Sequence, residues 1–217
     1  MSKKLEIIKE KSVTEAAIID HVLNMACGKI DENERLSYSA FWAAQIGKRT
    51  NVVFDTGITD ETQVYRVAWC EIPGSELNAN IDYLSAYIGA ASDRYKRVEI
   101  ERSGGELRLE GIRVISSNLS STAAKQADAQ YPVLITLMPD GVYLVIDGNH
   151  RVNAGENSAV IVPPQVFIKS LATLYEVYMY MIHSDICDYL KRKLSVKEII
   201  ERDKLVLASF FEVRKMD

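Results

Sequence analysis

The sequence predicts an α+β fold, a small sheet carried between helical extensions at both ends, and three observations lead there. Charged and apolar residues alternate on both sides of Ser103-Gly104-Gly105, a β-hairpin signal. Apolar runs rich in β-branched residues stop at Asp140-Gly141 and again at Asp147-Gly148, so they read as strands ended by turns. Apolar residues spaced by three and four gather toward the two ends instead. The expected division is a helical N-terminal extension over residues 1–60, a core over 61–169 and C-terminal helices over 170–217.

In chain order, Ser12-Val13-Thr14-Glu15 fits a capping box, and Ile18, Ile19, Val22, Leu23 and Ala26 form a stripe that ends at Gly28. His21 lies beside that stripe as a structural residue. The charged run 31–35 is expected as a solvated loop, followed by a helix from about Ser39 to Ile46 that packs through Phe41, Trp42 and Ile46 and stops at Gly47. A short strand over 51–54 and a turn-rich link over 55–62 bring the chain to the core boundary. A strand over 63–72 ends at Pro73-Gly74, and Leu77, Ile81, Leu84 and Ile88 predict a helix over 76–91.

The hairpin then presents Val98, Ile100, Leu107 and Leu109 on one face and is taken as an elaboration on the core. The polar stretch 116–122 suits a loop. A returning strand over 160–168 carries Pro163-Pro164, which favours an edge or a bulge. Ser170 is placed as the cap of a long helix reaching about Leu194, and Ser195-Val196-Lys197-Glu198 as the capping box of a final helix.

Function is sought where the strand ending at Ile146 runs through Asp147-Gly148 into Asn149-His150-Arg151. One or two helical turns from Asn149 to about Glu156 put His150 and Arg151 in a first turn, where the free amides and macrodipole already favour negative charge. Two basic side chains there make sense if an anion fills the gap. A phosphate, sulfate or carboxylate would be received by the amides of Gly148 and Asn149, with Arg151 as a planar fork and His150 as a donor or proton carrier. Asp147 would cap the helix, orient His150 or help hold a metal. The plainer alternative is a common Asp-Gly turn with a capping aspartate and a solvated His-Arg pair.

From Tyr131 to Ile168 the order strand, turn, strand, Asp147-Gly148-Asn149-His150-Arg151, short helix resembles the core of the ParB/sulfiredoxin-like superfamily, which includes partition proteins, sulfiredoxins, ParB-like nucleases and a free-serine kinase. Partition proteins carry Gly-Glu-Arg-Arg-x-x-Ala at this point, and Gly148, Arg151 and Ala154 fall on its glycine, second arginine and alanine. The resemblance implies a small mixed sheet of the ParB/sulfiredoxin type and an arginine that faces phosphate. Asn149 stands where sulfiredoxins carry their nucleophilic cysteine, so sulfinic acid reduction is not expected. Asn149-His150 also replaces the Glu-Arg of partition proteins.

The expected function is therefore nucleotide or phosphate binding, with phosphotransferase or phosphodiesterase/nuclease chemistry through His150 and Asp147 and with magnesium accompanying a nucleotide. The alternative is a non-enzymatic DNA-binding or regulatory module, or a degenerate scaffold, as an oligomer or not. A net charge of −4 supplies no global field toward nucleic acid, so DNA contact would need a local patch. Tyr83, Tyr87 and Tyr95 with Arg94, Lys96 and Arg97 are the candidate patch, diluted by Glu99, Glu101, Glu106 and Glu110, and a DNA-binding surface would join Arg94, Lys96, Arg97 and Arg102 to the motif. His183 and Asp185 make no metal spacing. Cys27, Cys70 and Cys187 lie far apart, which fits a reducing, cytoplasmic setting. No long apolar run follows Met1, and the stretch 171–182 contains Glu176 and is too short to span a bilayer, so neither a signal peptide nor a membrane partner is expected.

Overall fold

Strand order fixes what the rest of the molecule can do. In a computed structural model, residues 17–47, 64–68, 76–90, 95, 97–116, 132–171 and 173–213 are described. The chain divides into two compact units, one made of residues 1–55, 68–76 and 173–217 and the other of residues 56–67 and 77–172. The fold is mixed helix and sheet.

The first unit holds helices α1 (residues 17–27), α2 (Glu32–Gly47), α6 (Leu174–Leu190) and α7 (Val196–Val213). The expected stripe buries Ile19, Val22, Leu23 and Ala26, and the Gly28 amide closes α1 on the Asn24 carbonyl at 3.0 Å. The acidic run expected as a loop instead opens α2. Glu32 and Glu34 occupy its first turn, where the helix dipole favours carboxylates, so α2 begins well before Ser39. Thr173, not Ser170, caps α6, in a reciprocal capping box with Glu176. The Ser195–Glu198 box caps α7 as expected, through a 2.8 Å bond from the Ser195 amide to Glu198. No described helix is long and apolar enough to cross a membrane.

The second unit is built on a seven-stranded mixed sheet, ordered β3-β9-β7-β8-β6-β5-β4, of strands Arg97–Glu99 (β3), Glu101–Ser103 (β4), Glu106–Leu109 (β5), Ile112–Ile115 (β6), Val133–Leu137 (β7), Tyr143–Asp147 (β8) and Ser158–Val162 (β9). Pairs β6–β8 and β7–β9 are parallel and the remaining pairs antiparallel. The two outermost strands, β3 and β4, are separated in sequence by Ile100 alone. Consecutive Cα atoms lie about 3.8 Å apart, so both edges of the sheet must meet within one short extended segment. The sheet therefore curls nearly into a barrel, and the hairpin expected as an elaboration is the piece that closes it.

Its interior follows the period of two along each strand. Ile100, Leu109, Val114, Val133, Ile135, Tyr143, Val145 and Ala159 pack there, and Val152 enters from the helix after β8. The opposite faces of β7 and β9 are buried as well, by Leu134, Val160 and Val162. Helix α5 (Pro164–Ser170) packs on β7, and α3 (Ile81–Ala90) packs on α5. Strands buried on both faces read as continuous apolar runs, which is how β7 and β8 appear in the sequence.

Two expectations fail here for local reasons. Residues 76–80 form a strand, β2 (Glu76–Asn80), which pairs with β1 (Val64–Ala68), and α3 starts only where Asn80 accepts the Tyr83 amide at 2.9 Å. Residues 164–168 are helical, because Pro163 ends β9 and Pro164 occupies the first helical position, where its missing donor costs nothing. The capping box at residues 12–15, the strand at 51–54, the link at 55–62 and nearly all of the loop at 116–122 fall outside the described residues.

Replacing Ile100 with alanine should destabilise the protein by about 2–5 kcal/mol, the usual range for truncating a buried isoleucine. Urea unfolding followed by circular dichroism measures this. A loss below the range would show that closure does not depend on this side chain.

Candidate functional site

The end of β8 turns sharply because Gly148 adopts a left-handed conformation, φ 86°, as N-cap of α4 (Asn149–Asn153). A β-carbon built there would sit 2.8 Å from Arg151 Nη2 and 3.0 Å from Val133 Cγ2. Glycine thus serves twice at this point, for the backbone angle and for the space into which the guanidinium folds. Arg151 Nη2 donates to Asp147 Oδ2 at 3.1 Å and to the Pro132 carbonyl at 3.3 Å. Its side chain is 11% exposed, so the pair is partly shielded from solvent.

Asn149 is held more firmly than its neighbours. It is buried, its Nδ2 donates to the Val145 carbonyl at 3.2 Å, and its Oδ1 accepts from the Ser116 hydroxyl at 2.9 Å. The side chain expected to sit at an anion instead pins α4 to β8 and to the end of β6, while its amide remains in the turn. His150 is half-buried on the same short helix. Arg102 of β4 donates through Nη2 to the Val152 carbonyl, so the strand that closes the sheet also reaches α4.

The structure brings Asp147, Gly148, Asn149, His150 and Arg151 together within one turn. It corrects one premise about them. A five-residue helix presents both its ends to the same side chains, so the macrodipole gives much less preference for an anion than a longer helix would. It also places Asp147 on Arg151, with no side-chain cap on α4. Among the described residues no group of three or more His, Cys, Asp and Glu could hold a metal ion.

The DNA patch divides differently. Arg94 and Lys96 lie outside the described residues. Arg97 and Arg102 are separated along β3 and β4 by Glu99 and Glu101, all four exposed. Tyr83, Tyr87 and Tyr95 do form a ladder, with centroid spacings of 6.3 and 6.2 Å.

A second polar centre, in the helical unit, escaped the sequence. Asp185 is fully buried in α6, where its Oδ2 accepts from Tyr38 Oη at 2.8 Å and from Trp42 Nε1 at 3.1 Å. Arg202 of α7 reaches Asp185 with Nη2, Asp188 with Nη1 at 2.7 Å and Asp203 with Nε at 2.9 Å. Asp203 is also buried, and its Oδ2 has no hydrogen-bond partner. One guanidinium thus faces three carboxylates. Burial pushes the Asp185 and Asp203 carboxyls up, and at Asp185 the neighbouring Asp203 charge adds to it, while Arg202 opposes the rise. Burial likewise pushes the Tyr38 phenol up. The only signal in the sequence was the pair Asp185 and Asp188, three residues apart on a largely apolar helix.

Two outcomes test these geometries. Gly148→Ala should cost about 1–3 kcal/mol from the left-handed backbone alone, with further displacement of Arg151, as thermal melts would show. A carboxyl whose folded pKa exceeds its unfolded value holds its proton more tightly when folded, so it stabilises at low pH and loses that contribution as pH rises through the folded pKa. Stability should therefore fall as pH climbs above the ordinary carboxylate range, and Asp203→Asn should flatten that fall. Parallel melting curves for the two proteins across pH would refute the strained carboxyl pair.

Neither family models, nor curated proteins, nor solved structures contain a match to this chain.

Proposed function

We propose that the second unit is a ParB-like module that binds the phosphate of a nucleotide at the Asp147–Arg151 turn. The observation that carries this is the placement of Arg151. Its guanidinium is partly buried, folded across a glycine that leaves room for it, and fixed by one carboxylate and one carbonyl. A planar fork held in place loses little freedom when it takes two oxygens of a phosphate. The match of Gly148, Arg151 and Ala154 to the partition-protein segment agrees with this assignment.

Binding exchanges partners. Phosphate oxygens replace Asp147 on Arg151 and receive the amides of Gly148 and Asn149, and Asp147 is released toward a magnesium ion brought by the nucleotide. Magnesium suits such a site because it is usually held by one or two carboxylates together with substrate phosphates and water. His150, on the same turn, donates a proton to a phosphate oxygen or to a departing group. This arrangement supports phosphoryl transfer or phosphodiester hydrolysis, with Arg151 offsetting charge that builds on the phosphoryl oxygens. The buried Cys27 is a free thiol, in keeping with a cytoplasmic protein.

Calorimetric titration with a panel of nucleotides, with and without magnesium, tests the assignment. Arg151→Ala should weaken nucleotide binding by roughly tenfold to a hundredfold, the range for losing a charged hydrogen bond of about 1.5–3 kcal/mol, with the circular dichroism spectrum unchanged. Asp147→Asn should remove the benefit of magnesium while sparing binding in its absence. Nucleotide affinity left unchanged by Arg151→Ala would overturn the site. No binding by the intact protein would favour the DNA-binding or scaffold alternative.

A further inference from the structure

The outer face of the curled sheet carries a cavity of about 170 Å³ beneath α3. Its floor is apolar, made by Leu134 of β7, Val160 of β9 and Ile88 of α3. Its opening carries Arg97 of β3 and Ser85 of α3. Among the described residues, neither side chain has an ion pair or hydrogen bond. Tyr95 supplies an aromatic wall, with its ring 6.2 Å from that of Tyr87.

Size and chemistry together select a ligand. An apolar cavity of about 150 Å³ in another protein accepts benzene, so this volume suits a single six-membered ring and excludes a fused bicycle with a sugar attached. The aromatic wall favours a planar ring, which packs edge-to-face or offset against tyrosine. The unpaired guanidinium at the mouth favours a carboxylate on that ring, because Arg takes carboxylate oxygens in a two-pronged contact. We infer that this cavity is a binding site for a single-ring aromatic carboxylate, with the ring on Leu134 and Val160 and the carboxylate on Arg97 and the Ser85 hydroxyl. The cavity shares Pro132 with the turn that holds Arg151, whose guanidinium bonds to the Pro132 carbonyl, but the inference does not rest on the nucleotide reading.

Gly89 offers a clean way to close the cavity. It borders the opening on the exposed side of α3, and a β-carbon built on it meets nothing within 4 Å. Leucine at this position fills open space and is a better helix former than glycine, so the fold should be retained.

The experiment is a two-dimensional NMR titration of the whole chain with benzoate, benzyl alcohol and acetate as probes. Benzoate should shift the amides of Ser85 and Ile88 and bind more tightly than benzyl alcohol, and acetate should produce no shift at these residues. Arg97→Gln should weaken benzoate by roughly tenfold or more, from the loss of a charged hydrogen bond, and leave benzyl alcohol unchanged. Gly89→Leu should abolish both while keeping the remaining spectrum intact. Equal benzoate binding by the intact protein and Gly89→Leu would overturn the site, and so would benzoate binding indifferent to Arg97→Gln. No shift at Ser85 and Ile88 at millimolar benzoate would do the same.

Discussion

The second unit depends on one segment of seven residues that is asked to be both edges of a sheet. Residues 97–99 pair with β9 and residues 101–103 with β5, and Ile100 between them turns into the core while its amide reaches the Asn157 carbonyl at 2.7 Å. Curvature, the filling of the interior and the position of α4 all follow. With the edges joined, Ile100 and the inward side chains of β3 and of β5 to β9 must occupy one shared volume, and Val152 closes its end. The exposed edges that remain are only three residues long, which gives little template for pairing with other chains.

Much of this was legible because local and tertiary signals agreed. The apolar runs of β7 and β8, the stripe of α1, the Ser195–Glu198 box and the turn at Asp147-Gly148 each carry their own instruction. Failures came where one residue pattern serves two structures. Leu77, Ile81, Leu84 and Ile88 keep helical spacing, yet Leu77 belongs to a strand, because Asn80 stops the helix from extending back. Pro163 and Pro164 read as an interruption of a strand, and they are the entry to α5. Nothing in the alternation of residues 97–110 says that its first arm splits between two partners, since that depends on pairing with β9 some 60 residues later.

The candidate site was legible in identity and only partly in geometry. The pair of Asp147 with Arg151 was not foreseen, because it depends on the left-handed turn at Gly148 that folds the first residues of α4 back onto the end of β8. Nor could spacing reveal that Arg151 would also find the Pro132 carbonyl, or that Asn149 would be committed to Val145 and Ser116. The Asp185 centre was illegible for the same reason in stronger form. Its partners come from α2 and α7, at separations of 147 residues for Tyr38 and 17 for Arg202. A buried centre of this kind is weak evidence for stability, because desolvation offsets much of the attraction, and better evidence for which helices must meet.

Connectivity gives that last point a temporal side. The helical unit draws α1 and α2 from one part of the chain and α6 and α7 from another, and the strands β3 to β9 all lie between them. During synthesis the sheet can close as soon as β9 has emerged, whereas Asp185 waits for Arg202. Until Asp185 has emerged, Tyr38 and Trp42 lack the acceptor that their burial requires. The early helices are therefore the portion of the nascent chain most in need of protection, and the sheet is the portion that can protect itself.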